Sequence, residues 1–449
     1  MNNKLPPSKD LPRATLAALL LAVFTVSVGY GVVLPLLPTL IERLLGDRSG
    51  AVQISRHTGL MTAIYALGLF LFAPMWGQLS DRLGRRNILL FGLLGFGITM
   101  LVFSFIQSIG FIYAERFLSG IFASTVAPVA MATIADSTDE QGRGRKLAFV
   151  SMSSIIGFML GPMLGVLVTR FATNFIINIF PAGSVAVPLV ATALLSFLVS
   201  LAVAVAVPSG RFTGHLKMVV VPSIDRNIWI IPKLLILTFI VSAGVGVFEV
   251  GLALRGKQEL GLTPYQIALM FTECSLVMFV LQAIVFSPWF KPDKTRWLIA
   301  PALTVLAVGL FLVPRASDFS LMLAVIGAVA ASAGILSPIL TYWISAKAGS
   351  AQGWELGKQT AAASLGVTLG SVAGGLLYNV AALPGASFIL AAALTVLGFV
   401  LSLRLPHWLV PRDPENQDSQ QTSEGLTRQG RLQAIQAVPS SRGIDREPD

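Results

Sequence analysis

The sequence predicts an all-α polytopic membrane protein of twelve transmembrane helices in two pseudo-symmetric six-helix bundles. Three observations lead there. The 449-residue chain is 54% hydrophobic and only 12% charged, about half the charge an ordinary soluble domain carries. Its apolar runs, such as Leu16 to Leu37, Val185 to Val207 and Leu234 to Leu254, recur at about the 20 residues that span hydrocarbon. Glycine patterns in the first half return in the second six runs later.

Taken in order, the apolar runs give spans at 15–40, 58–79, 87–108, 110–135, 147–168, 185–207, 232–254, 265–287, 297–314, 319–344, 359–380 and 385–405. Residues 1–14 precede the first span. Lys4, Lys9 and Arg13 there resemble the charged start of a signal peptide, but the following run is too long and has no clear cleavage site, so a retained first helix is expected. Residues 15–207 and 232–405 are the two expected bundles, joined by a polar linker at 208–231 that holds Pro208, Arg211, Lys217, Pro222 and Arg226. The partly apolar stretch from Arg170 to Ala186 suits the membrane interface. The tail, 406–449, turns rich in Pro, Gln, Ser, Asp and Arg, and a segment of that kind is expected to stay disordered.

Charge sets the orientation. In the loops between odd and following even spans lie only Arg43, Arg48, Arg56, Arg170, Arg255, Lys257 and Arg315, while Arg116 lies within a span. The rest of the 32 Lys and Arg fall on the side of the termini. Positive loops are retained in the cytoplasm, so both termini are expected there. The net charge of +10 is therefore a topology signal rather than a nucleic-acid-binding patch. The single cysteine, Cys274, excludes an intramolecular disulfide, and the scattered histidines offer no metal-ligand spacing. No phosphate-binding Gly-x-x-x-x-Gly-Lys-Ser/Thr occurs, so ATP hydrolysis by the chain itself is not expected. No cofactor is expected either.

The halves echo each other. Gly157, Gly161 and Gly165 in span five share one helical face, as do Gly366, Gly370 and Gly374 in span eleven. Gly29 and Gly31 in span one are matched by Gly244 and Gly246 in span seven. An offset of six is what a duplicated six-helix unit requires.

Four motifs stand out: Gly77-x-Leu79-x-Asp81-Arg82-x-Gly84-Arg85-Arg86 between spans two and three, Arg116-Phe-Leu-Ser-Gly120 in span four, Gly157-Phe-Met-Leu-Gly161-Pro162-Met-Leu-Gly165 in span five, and Gly31-Val-Val-Leu-Pro35-Leu-Leu-Pro38 in span one. With them the chain resembles the major facilitator superfamily over residues 15 to 405, and within it the twelve-helix drug:proton antiporters that include tetracycline exporters. Departures from the family pattern are Ser119 and Val166, where relatives often carry Gln and Gly.

The resemblance implies that the charged loop is a cytoplasmic latch. Gly77 and Gly84 would let backbones approach closely, and Asp81 would neutralise Arg85 or meet the positive end of helix eleven. Asp136 is a further candidate partner for Arg85 or Arg86. The equivalent loop six spans later, Ser287 to Lys294, keeps charge without the glycines, so the latch is expected to be one-sided. In span five, Pro162 removes a backbone donor beside Gly161, and the glycine ladder is expected to pack helix five on the neighbouring half.

Ionisable groups inside a membrane are expensive and mark function by default. Glu115, Glu249 and Glu273 are the proton-coupling candidates. Neighbours on a helix point about 100° apart, so Glu115 and Arg116 are not expected to share a narrow face, and the family motif implies that Arg116 faces the cavity. Tyr30, Phe248, Phe271, Tyr342 and Trp343, with Met152, Met159 and Met163, are candidates for the cavity wall. The expected partners are protons, a small organic substrate and the lipid bilayer, with no nucleic acid, and a monomer suffices. A proton-coupled exporter is the first reading. A facilitator or symporter for a sugar or other metabolite is the nearer alternative, against which Gly161-Pro162 argues. A non-transporting receptor or membrane-embedded enzyme is the more distant one, and no clustered catalytic constellation favours it.

Overall fold

The computed structural model describes residues 11–46, 50–138, 140–171, 186–208, 229–285, 292–347 and 352–409. The expectations for the interfacial stretch after Arg170, most of the linker, the loop from Ser287 and the tail beyond 409 lie outside the described residues, as do the side chains of Asp81 and Asp136.

Twelve long helices run through the described residues: α1 (Arg13–Leu45), α2 (Ala51–Leu83), α3 (Arg85–Phe103), α4 (Ile109–Asp136), α5 (Glu140–Phe171), α6 (Ala186–Ala206), α7 (Ile230–Gln258), α8 (Pro264–Val285), α9 (Ile299–Leu312), α10 (Phe319–Lys347), α11 (Gln352–Leu376) and α12 (Ala386–Ser402). Eleven are long and apolar enough to cross a membrane, α9 with the help of 3-10 turns that extend its span to Lys294–Arg315. The exception is α11, long enough at 25 residues but opened by Gln352, Glu355, Lys358 and Gln359. Backbone polar groups have no water to bond in hydrocarbon, so helices that satisfy them internally are the natural solution. The outward face of α6 shows the solvent it meets: Leu194, Leu198, Leu201 and Val205 are all exposed along one stripe. In water such a stripe would be buried.

Packing repeats with the offset of six. In one half α1 packs on α5 and α6, α2 on α4, and α3 on α4 and α6; in the other α7 packs on α11 and α12, α8 on α10, and α9 on α10 and α12. Between halves, α2 meets α11 and α5 meets α8, again a symmetric pair. The glycines explain the fit. A Cβ on Gly29 would meet Phe96 of α3 and Thr192 of α6, and one on Gly244 would meet Leu310 of α9 and Thr395 of α12. A Cβ on Gly31 would lie 2.7 Å from the Phe158 carbonyl of α5, and one on Gly246 would lie 2.7 Å from the Val367 carbonyl of α11. Each Gly-x-Gly pair thus serves the same two contacts in its own half.

The ladders differ from expectation. Gly157 and Gly161 face the carbonyls of Phe24 and Val28 on α1, and Gly366 and Gly370 face those of Phe239 and Ala243 on α7. Helix five therefore uses its glycines inside its own half, not against the neighbouring one. It meets the other half through side chains, with the rings of Phe158 and Phe271 6.3 Å apart. Close backbone approach between the halves falls instead to α2 and α11, where a Cβ on Gly59 would lie 2.5 Å from the Cα of Gly375.

The charged loop differs too. A Cβ at Gly77 or Gly84 would meet nothing within 4 Å, so neither glycine makes a close approach in this conformation. Gly84 is there for its backbone: at φ 93° it is the single residue between α2 and α3, a conformation that other residues avoid. Its N–H closes on the Ser80 carbonyl at 3.1 Å. Arg85 turns back to bond the Ser80 hydroxyl and the Gly77 carbonyl, placing positive charge at the negative end of α2.

Candidate functional site

The odd helices among the first six and their partners fix an end of the bundle opposite the N-terminus, called here the far side, where α1, α5, α7 and α11 finish and α2 and α8 begin. In its half of the core lies a row of side chains drawn from α4, α2, α1, α7, α5 and α8.

The row starts at Glu115 and Arg116. Both are buried, at 3% and 2% exposure, and they converge: Arg116 donates through Nε to Oε2 at 2.8 Å and through Nη2 to Oε1 at 3.0 Å. The expectation that the neighbours diverge is corrected here. Their Cβ atoms do point apart, but both side chains are long enough to bend together, and burial without a partner would cost several kcal/mol per ion. The guanidinium also lies 4.7 Å from the ring centre of Phe103 and 5.5 Å from that of Tyr65, within cation–π range.

From Tyr65 the row passes to Tyr30, stacked at 5.2 Å, and from there to Phe158 at 5.7 Å. Tyr30 then crosses between the halves. Its hydroxyl donates to Glu249 Oε2 at 2.6 Å, linking α1 to α7. Cys274, buried, lies in electrostatic reach of Glu249 and of Glu273 on α8. Glu273 points towards α10, where a Cβ added to Gly327 would sit 3.5 Å from its Oε1, and its Oε2 is buried without a hydrogen-bond partner. Among the described residues neither Glu249 nor Glu273 has a basic partner. A narrow cavity of about 10 Å³, room for no more than a water, adjoins the row, lined by Tyr30, Leu34, Leu37, Thr62, Tyr65 and Arg116 among others.

Of the expected wall residues, Tyr30 and Arg116 reach this cavity and Phe271 joins the aromatic row through Phe158. Phe248 is packed away at 2% exposure beside Glu249. Trp343 is corrected: it is also 2% exposed, far down α10, with its indole N–H donated to Thr295 at 3.1 Å and Tyr342 against it at 5.3 Å. Satisfying a buried indole N–H fixes that ring as structure. Sequence reading missed Tyr65 and Thr62 of the cavity wall, which no motif marks, and Phe103 and Phe158 in the adjoining row. The signal available was only that a tyrosine sits in mid-span, where its hydroxyl needs a partner.

The first-helix and fifth-helix motifs lie against each other. Gly31 packs on Gly161, and a Cβ on it would sit 3.1 Å from Pro162 Cδ. Pro35 and Pro38 lie within α1 and Pro162 within α5, neither helix ending there. Gly165 faces Pro188 of α6 and Val32.

On the far side a second set of bonds joins the halves. Glu42 of α1 pairs with Lys257 of α7 at 2.9 Å. The backbone carbonyl of Ala51, at the start of α2, accepts from Gln258 Nε2 at 3.1 Å and from Asn379 Nδ2 at 2.8 Å. Arg255, expected as a loop charge, is instead buried in the last turn of α7, bonded to Glu259 and to the Ala316 carbonyl at 2.6 Å. Tyr378 donates to the same Glu259 at 2.6 Å. Among the described residues, no three His, Cys, Asp or Glu side chains gather where they would hold a metal ion.

This arrangement, two duplicated bundles around a core with charged groups between them, is that of an alternating-access carrier. A family model described as Major Facilitator Superfamily matches residues 19–354 and 234–442. The chain belongs to the Major Facilitator Superfamily. Among curated relatives of this superfamily member, "Multidrug resistance protein 2" of Bacillus subtilis (strain 168) is 26% identical over 363 residues, covering 80% of this chain and 88% of that protein. "Tetracycline resistance protein, class B" of Escherichia coli is 36% identical over 139 residues, 31% of this chain and 33% of that one. A solved D-xylose-proton symporter shares the fold with a TM-score of 0.70 at 17% identity, covering 87% of this chain and 96% of that chain. The chain is thus an integral membrane transporter of the superfamily, and proteins of that kind bind small molecules.

Proposed function

We propose that this superfamily member exports a small, fairly apolar organic compound from the cytoplasm in exchange for protons. One observation carries the reading: Glu249 and the half-buried Glu273 have no basic partner among the described residues, while Arg116 is already matched by Glu115. Such groups are costly inside a membrane unless they take up and release a proton or a ligand. Relatives named for drug and tetracycline resistance support the direction and the type of cargo. A proton moving down 100 mV gains about 2.3 kcal/mol, enough for roughly a fiftyfold gradient of a neutral compound.

Positive loops on the side of the termini support cytoplasmic termini in a bacterial inner membrane, so the joined far side is external and is held closed in this conformation. The charged loop from Gly77 to Arg86 then lies at the cytoplasmic end, where Asp81 acts when that end closes. The protein works as a monomer and without catalysis of its own. The test is drug or dye transport into everted vesicles under an imposed pH gradient. Glu249→Gln and Glu273→Gln are expected to weaken proton-driven uptake, at least one of them severely. Full proton-driven uptake in both variants removes the carboxylates as carriers, and no proton-linked uptake across a broad compound panel removes antiport.

A further inference from the structure

We propose that the Tyr30–Glu249 hydrogen bond is a charge-sensitive lock on the far side, and that Tyr30 is the positioning residue which keeps the empty, deprotonated carrier from opening there. The inference rests on the proton-exchange reading above and gives it a device.

The geometry has three parts. First, the bond crosses the half interface, from α1 to α7, at 2.6 Å. Second, the same two helices are joined again by Glu42–Lys257 at 2.9 Å, which lies about 18 Å further along α1. They are therefore held at two levels, one deep in the core and one at the rim, and both must part for the far side to open. Third, only the deep level involves a carboxylate in the core, and it faces few other charges. From α1 it meets Tyr30; beyond that ring lie Tyr65 of α2 and Arg116 of α4, and from α8 come Cys274 and, past it, Glu273. On α11 the ionisable residues are Glu355 and Lys358, paired at 2.7 Å near its start, at the opposite end of the bundle. On α10 they are Tyr342 and Lys347 near its end, and α12 carries none.

A phenol bonded to a charged carboxylate holds about twice as strongly as one bonded to a neutral carboxyl. The lock is consequently strong when Glu249 is charged and empty. It weakens when a proton binds the carboxylate, or when a substrate engages it in place of Tyr30. Those are the two loaded forms that an exchanger must allow to cross, and the locked form is the empty one that it must hold back. The structure captures the locked form's contact.

The experiment reads far-side opening without any transported compound. Thr62 lines the cavity beside Tyr30 and is buried, so Thr62→Cys in a Cys274→Ser background reports access. An impermeant maleimide is added to right-side-out vesicles of the full chain at acid and alkaline pH, below and above the titration of Glu249. Because maleimide reacts with the thiolate, each rate is divided by that of the same cysteine in detergent-unfolded protein at the same pH, and the normalised labelling is expected to be slower at alkaline pH by about tenfold, the difference between a charged and a neutral hydrogen bond. Tyr30→Phe and Glu249→Gln are each expected to remove that pH dependence, and the double variant to add nothing further. Glu42→Gln, at the rim, is expected to speed labelling while leaving the pH dependence in place. Tyr30→Phe with unchanged labelling and unchanged pH dependence overturns the lock, and so does a parent protein with no pH dependence. Either result leaves the proton-driven uptake of the vesicle assay standing, and failure of that assay leaves the labelling result standing.

Discussion

Gly59 of α2 and Gly375 of α11 meet across the half interface with no side chain between them: a Cβ on Gly59 would lie 2.5 Å from the Cα of Gly375, and one on Gly375 would lie 2.6 Å from the Cα of Gly59. Among the described residues this is the tightest joint between halves that a Cβ would test, and it lies beneath the Ala51 carbonyl that binds Gln258 and Asn379.

Gly59→Ala and Gly375→Ala are each expected to push α2 and α11 apart. Overpacking of this kind costs about 1–3 kcal/mol, and here it falls on the far-side-closed conformation. Thiol labelling of Thr62→Cys should rise in both variants, with thermal stability in detergent falling less than the labelling implies. Equal losses in stability and no change in labelling would place the joint in the fold rather than in the cycle.

The Glu115–Arg116 pair makes a second prediction. Arg116→Ala leaves a carboxylate 3% exposed with no partner, and breaking a buried pair from one side costs about 3–5 kcal/mol. Glu115→Gln with Arg116→Gln removes both charges and should fold better than Arg116→Ala alone. Thermal unfolding of purified protein compares them. A double variant less stable than the single one would show that the pair contributes more than mutual neutralisation.

How much of this was legible in the sequence depends on what each feature answers to. The spans were legible because hydrocarbon imposes one length and one composition on every helix. The duplication was legible through Gly29, Gly31, Gly244 and Gly246, since a position that excludes Cβ in one half excludes it in the other. Glu249 and Glu273 were legible as charges in apolar runs, but their partners were not: Tyr30 is 219 residues from Glu249, and no local pattern carries that distance. The facing of the ladder in α5 was hidden for a related reason, because a stripe of glycines shows that a backbone approaches and not which one. Trp343 was misplaced because an indole serves a cavity or a core equally well until its N–H is seen to bond Thr295. The demand that Gly84 answers in this conformation, a backbone angle between two helices, was not legible because glycine serves backbone angle as well as space.

The ladders yield a third prediction. A Cβ on Gly161 would lie 2.6 Å from the Val28 carbonyl, and one on Gly370 would lie 2.2 Å from the Ala243 carbonyl. These contacts are to backbone, which cannot swing aside as a side chain does. Gly161→Val and Gly370→Val should both lower thermal stability, Gly370→Val at least as much, while leaving the pH dependence of Thr62→Cys labelling intact in the protein that folds. If Gly161→Val instead uncouples transport from the proton gradient at normal stability, the ladder of α5 has a role in the cycle that the one in α11 lacks.

The rim pair is the last test. Glu42 and Lys257 are 44% and 28% exposed in their side chains, and exposed pairs contribute only about 0–1 kcal/mol. Breaking the pair with Lys257→Gln should therefore change far-side opening by no more than about fivefold. The change should shrink as ionic strength rises, since salt screens an exposed pair. Glu42→Lys with Lys257→Glu restores the attraction with its direction reversed, and labelling of Thr62→Cys should return towards the parent rate. Lys257→Gln and Glu42→Gln both matching the parent at low salt would reduce the pair to a surface contact and leave closure of the far side to Tyr30, Glu249 and the Gly59–Gly375 joint.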